Sequence, residues 1–97
     1  MNKNIAYGHG HSFRDCGIKQ NYISVTCKAN EVTTVDVVYD EPFDEITDAV
    51  FVSALTSAPY TTVRGCSASG YTKEGFKLHV YRTSAGNAGV LWMAIGK

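Results

Sequence analysis

Val32-Thr33-Thr34-Val35-Asp36-Val37-Val38-Tyr39 alternates in period two. Val35, Val37 and Tyr39 fall on one side of an extended chain, and Thr34 and Asp36 fall on the other. This is the pattern of a strand with one face in a core and one in water. Asp40-Glu41-Pro42 ends it, because proline cannot donate to a ladder, and Phe43 is expected to drop into the core from the loop that runs on through Asp48. On the N-terminal side, Ala29-Asn30-Glu31 turns the chain back toward another extended run, Tyr22 to Cys27. On the C-terminal side, Ala49 to Thr56 is apolar at both parities, Ser57-Ala58-Pro59-Tyr60 turns, and Thr61 to Ala68 reads as a more polar strand. Gly70 to Gly75 leads into Phe76 to Tyr81, where Phe76, Leu78 and Val80 point inward and Lys77, His79 and Tyr81 outward. A Gly/Ser/Asn loop from Thr83 to Gly89 then precedes Val90 to Ile95, again apolar at both parities.

Six such runs, no long window at helical spacing and no internal repeat predict an all-β chain, a six-stranded antiparallel β-sandwich. Residues 18–97 form that domain in this reading, and residues 1–17, rich in Gly, Asn and His, form an irregular N-terminal arm. The two doubly apolar strands stand out. In a small sandwich one face of each should meet water, so they are either central and flanked by loops or part of a subunit interface.

Composition narrows the function. The chain has 97 residues, nine Lys plus Arg against nine Asp plus Glu, and 44% apolar residues, which suits one domain. Zero net charge without like-charge runs argues against nucleic acid or an anionic membrane surface as partner. The N-terminus, Met1 to Gly8, lacks the apolar centre of a secretion signal, so the expectation is a chain soluble as made. Cys16, Cys27 and Cys66 are odd in number and have no Cys-x-x-Cys spacing; they read as small core-filling thiols, with a Cys16–Cys27 bridge as the alternative.

The order of landmarks resembles a known family. Val35-Asp36-Val37-Val38-Tyr39 with Pro42-Phe43, then Ala49-Val50-Phe51-Val52-Ser53, then Gly75-Phe76-Lys77, and finally Leu91-Trp92-Met93-Ala94-Ile95-Gly96 is similar to H-type lectins and, more closely, to the related C-terminal domains of phage tail fibres and other virion appendage proteins. The resemblance covers about residues 17–97 and implies a trimer, which would account for the doubly apolar strands. It also implies a sugar site between protomers that uses an Arg on the strand before the Gly-Phe turn and an aromatic or His on the loop before the Trp strand. Arg64 lies near the first position; the second is not kept, and Ser84 and Asn87 are left as the polar groups of that loop for hydrogen bonding a polyol.

No motif places a nucleophile beside a base, so catalysis is not expected. The acidic cluster of Asp40, Glu41, Asp44, Glu45 and Asp48 reads as a solvated loop. His9 and His11 in Gly8-His9-Gly10-His11-Ser12 would project to one side of an extended segment, so three chains on an axis would offer six imidazoles to a transition metal. The fibre resemblance implies such an axial ion, and a flexible polar arm is the simpler alternative. The expected function is a non-enzymatic virion module: a tail fibre, tail tip or capsid-surface knob, assembled in the host cytoplasm, that contacts a host-surface glycan or receptor. The alternatives are a structural decoration or adaptor of the virion that binds no glycan and, further off, a free-standing soluble lectin.

Overall fold

The computed structural model of the chain describes residues 16–56 and 62–97. Six strands follow in order: β1 (Gly17–Cys27), β2 (Glu31–Val38), β3 (Thr47–Ala54), β4 (Val63–Thr72), β5 (Gly75–Arg82) and β6 (Gly86–Gly96). They form two three-stranded antiparallel sheets, β1-β6-β3 and β2-β5-β4, and buried residues from both make one hydrophobic cluster between them. Leu78, Val25, Val80 and Val90 are fully buried there, each stabilising by about 1.5–3 kcal/mol relative to exposure.

Period-two alternation assigns the faces as expected for β2 and β5, with Val35 and Val37 and with Phe76, Leu78 and Val80 turned inward. Tyr39, Phe43, Phe76 and Trp92 converge at one end of the core. Tyr39 meets the Phe43 ring edge-on at 5.3 Å between centroids, and Phe76 meets Trp92 in the same way at 5.5 Å. The Tyr39 hydroxyl is satisfied by Thr47 Oγ1 at 2.8 Å, and Thr47 in turn donates to the carbonyl of Thr72 at 2.6 Å, so the buried polar groups form a closed chain. Burial raises the Tyr39 phenol above its ordinary pKa of 10.0, and the Thr47 hydrogen bond partly offsets this.

The outer strands are longer than the alternation suggests. β1 begins at Gly17 rather than Tyr22 because it pairs along the whole of β6, from Gly17 opposite Gly96 to Cys27 opposite Gly86. Lys19 takes an inward position in that extension by laying its ammonium 4.7 Å from the Phe43 ring centroid, a cation–π contact that alternation cannot reveal. By the same pairing β6 begins at Gly86, and the expected Thr83–Gly89 loop contracts to a turn at residues 83–85. Gly96, the last residue of the Trp92-to-Gly96 pentad, must be glycine: a Cβ there would run into the Ile46 carbonyl and sit 2.8 Å from the Phe43 ring.

Cys27 and Cys66 are free thiols, Cys27 buried and Cys66 partly so, and the Cys16 thiol donates to Asp48 Oδ2 at 3.5 Å. The alternative of a Cys16–Cys27 bridge is excluded by β1 itself, which separates the two by roughly 35 Å of extended chain.

The doubly apolar strands are β6, at the centre of its sheet, and β3, at its edge. Ala88, Val90, Trp92 and Ala94 of β6 face the core, while Leu91 and Met93 face outward in register with Phe51 and Ser53 of β3 and with Tyr22 and Gln20 of β1. Phe51, Tyr22 and Leu91 stay about half exposed.

Candidate functional site

The topology sorts the connections onto two ends. Gly17, where the domain begins, shares one end with the end of β6, the loop between β2 and β3 and the β4–β5 turn. At the opposite end lie the β1–β2 turn, the β5–β6 turn, the last residues of β3 and the first of β4.

Arg64, Ser84 and Asn87 all belong to this second end, but to different surfaces. Arg64 is the extra residue of a β-bulge between Val63 and Gly65 in β4, exposed on the sheet β2-β5-β4. Asn87 is a strand residue on the outer face of the other sheet, accepting a hydrogen bond from Thr26 Oγ1 at 2.9 Å. Ser84 lies in the turn that joins the two sheets. The guanidinium that reaches it is Arg82: its Nη1 donates to the Ser84 carbonyl at 2.6 Å and to Ser84 Oγ at 2.9 Å. The turn also needs Gly86, whose φ of 151° is open to few side chains and whose Cβ would lie 2.7 Å from that Nη1. Arg82 sits at an inward parity of β5, paired with Glu31 and Val63, so the alternating pattern gave no reason to single it out. His9 and His11 lie outside the described residues.

On the outer face of β2-β5-β4 the side chains form rows across the strands: Val32–Tyr81–Gly65, Thr34–His79–Ser67 and Asp36–Lys77–Ser69. His79 is held at both ring nitrogens, by Thr34 Oγ1 at 2.8 Å to Nδ1 and by Ser69 Oγ at 2.6 Å to Nε2. A neutral imidazole donates from one nitrogen and accepts at the other, so the two hydroxyls fix its ring plane. Lys77 and Asp36 pair at 2.9 Å, both well exposed. Beside these groups an open hollow of about 280 Å³ is lined by Val32, Gly65, Ser67, His79 and Tyr81 with Cys66 at its edge; burial raises the Cys66 thiol above its ordinary pKa of 9.0 and so keeps it protonated.

On the outer face of β1-β6-β3 a larger hollow of about 540 Å³ is lined mainly by Tyr22, Phe51, Leu91 and Met93, with Gln20 and Ser53 at its rim. Its surface is apolar, suited to another protein surface rather than to a sugar.

Among the described residues no group of three or more His, Cys, Asp or Glu side chains is placed to hold a metal ion. No protein-family model matches the sequence, and no curated protein matches it. Solved structures do. Over 82% of this chain, the C-terminal part of the R1 pyocin fibre of P. aeruginosa superposes with a TM-score of 0.68 at 15% identity. The chain has a tail-fibre domain fold. It spans 23% of that fibre chain and 70% of an N-truncated R1-type pyocin tail fibre, which is similar at the same TM-score and identity. The tailspike of Pseudomonas phage phi297 is similar over the same share of this chain, with a TM-score of 0.59 and 18% identity, and the domain spans 15% of it. At these identities the likeness is one of fold, and this chain's own residues must carry any function.

Proposed function

We propose that this tail-fibre domain is a binding module of a phage-type virion tail, a homotrimer that contacts a host-surface glycan or receptor. The observation that carries the reading is the apolar outer face of β1-β6-β3 on a fibre fold. Tyr22, Phe51 and Leu91 are each about half exposed, Tyr22 directly opposite Leu91 and Phe51 in the adjacent outward row opposite Met93, and a free-standing domain gains nothing by wetting them. A second and third copy of the chain would cover that face, leaving the polar face of β2-β5-β4 outward. Arg64, Arg82, Ser84 and Asn87 lie at the end of the sandwich opposite Gly17, where β1 begins. Exposed connections on a rigid sandwich are where contact with a partner is usually made. Individual hydrogen bonds there are worth only about 0.5–1.5 kcal/mol net, so attachment would draw on several copies at once.

The test joins light scattering on the purified chain with its binding to an array of bacterial surface glycans. The expected result is a trimeric mass and retention on at least one glycan. A monomer at micromolar concentration would overturn the oligomeric half, and a trimer that binds no glycan would point to a structural decoration or adaptor instead.

A further inference from the structure

Gly65 is a strand glycine that nothing in the fold requires. Glycine in a strand weakens it, and it is normally explained by a left-handed φ, a bulge that needs one, or a close approach of other atoms. The positive-φ glycines among the described residues are Gly70 and Gly86, so neither backbone conformation nor a left-handed bulge calls for glycine at 65. A Cβ built on Gly65 meets nothing within 4 Å. Gly89, on the other sheet, makes the contrast: a Cβ there would lie 2.9 Å from the Tyr22 ring, which covers that glycine. Tyr81 stands next to Gly65 in the Val32–Tyr81–Gly65 row, yet leaves its glycine open.

The geometry points to a saccharide subsite in this hollow: one pyranose ring lying over the Gly65 backbone, against Tyr81, with the Ser67 hydroxyl as its hydrogen-bonding partner and the His79 ring as a wall. The space, about 280 Å³, admits a single sugar ring. Its walls have what a pyranose needs, an aromatic flank for the C–H face and the hydroxyls of Ser67 and Tyr81 for those of the sugar. His79 is fixed in orientation by Thr34 and Ser69, so it meets a ligand already ordered, while no described residue partners the hydroxyls of Ser67 and Tyr81. The bulge inserts the exposed Arg64 directly before the glycine floor, so the neighbouring residue in the chain carries a guanidinium. The hollow opens at the end of the domain turned away from Gly17, on the face that a trimer built through β1-β6-β3 leaves free. The subsite rests on the receptor-contacting reading above and names where a glycan would sit.

The experiment is solution NMR on the full chain, isotope-labelled, titrated to high millimolar concentration with methyl β-D-glucopyranoside, methyl β-D-galactopyranoside, methyl α-L-rhamnopyranoside and the methyl glycoside of glucuronic acid. The expected result is shifts at Gly65, Ser67, His79 and Tyr81 with at least one probe, and saturation transfer from the Tyr81 ring to the sugar. Gly65→Val has room for its side chain and should keep the wild-type spectrum elsewhere while weakening that probe about tenfold or more; Tyr81→Ala should do the same. Equal binding by Gly65→Val overturns the subsite. Shifts confined to Arg82, Ser84 and Asn87 overturn the subsite but leave the glycan-contacting reading standing, whereas no shift with any probe, together with silence on the glycan array, overturns both. Loss of the oligomeric mass in Gly65→Val would place a second copy of the chain in the hollow and also overturn the proposal.

Discussion

The outer faces of the two sheets differ in kind although their inner faces share one core. On β1-β6-β3 the outward residues at mid-sheet are Tyr22, Leu91, Met93 and Phe51, and the glycine in that neighbourhood, Gly89, is roofed by an aromatic ring. On β2-β5-β4 the corresponding positions carry Thr34, Asp36, Lys77, His79, Ser67 and Ser69, of which Thr34 and Ser69 hydrogen-bond His79 and Asp36 pairs with Lys77. An apolar face is stabilised by being covered, whereas a polar face already satisfied within itself can stay in water at little cost. The difference makes the face of β1-β6-β3 the one that gains by being covered, and on the function proposed above it leaves the face of β2-β5-β4 for a polar ligand.

The comparison supposes that both faces belong to one cooperative body, and Trp92 tests this most severely. Its ring packs on Tyr39 and Phe76, which belong to the other sheet and to the loop that leaves it. Trp92→Ala should cost about 3–5 kcal/mol, read by denaturant melting, with probes on both sheets losing signal together. Two separate transitions would break the picture of one core with two outer faces.

Leu91→Asp addresses the apolar face alone. Placing a charge where a partner would bury it should abolish the trimer by light scattering, and the folded monomer should lose no more than about 0.5 kcal/mol because the side chain is half exposed. A variant that keeps its trimeric mass would remove this face from the interface.

Thr47 is the hinge of the buried polar chain, and Thr47→Val should cost about 1–3 kcal/mol by leaving the Tyr39 hydroxyl without its partner. The same phenol sets an alkaline limit. Because burial holds its folded pKa above 10.0, the folded state keeps a proton that the unfolded state releases. Its contribution is complete below pH 10 and declines as pH rises through the higher folded value. Cys66 adds a fall of the same sign above pH 9. Tyr39→Phe should flatten the decline in melting temperature above pH 10, and an unchanged alkaline profile would show that the phenol is not its source.

The smallest effect belongs to the polar face. Asp36→Asn removes a largely exposed ion pair and should change stability by less than about 1 kcal/mol, a difference that salt erases. A larger loss would mean that the outer face of β2-β5-β4 is stabilised by charge rather than by its hydroxyl–imidazole bonds.

Much of this was legible residue by residue. Alternation in Val32–Tyr39 and Phe76–Tyr81 named the right faces, because a half-buried strand must separate apolar from polar side chains at period two. The apolar character of both parities in Ala49–Thr56 and Val90–Ile95 was visible for the same reason, and Phe43 was legible as a core residue from the loop. Arg82 was not visible. An inward-parity arginine at a strand end looks like an interruption of the core pattern, and only the turn folding back over it shows that its guanidinium binds Ser84 and requires Gly86. The candidates Arg64, Ser84 and Asn87 do reach one end of the sandwich, but on two sheets and the turn between them, a separation that sequence spacing does not encode.

The sequence by itself therefore determined the number of strands, which side of β2 and of β5 faces the core, and the contrast between strands with apolar and with polar outward parities, since these are local consequences of a two-residue repeat. Tertiary structure decided which strands are neighbours, and with that everything that depends on cross-strand register: the start of β1 at Gly17, the His79 bonds to Thr34 and Ser69, and the uncovered floor at Gly65 beside Tyr81. Register is set by pairing between segments far apart in the chain, and a sheet assembles its surface from rows that run across the strands, so the composition of each row exists only once the strands have paired.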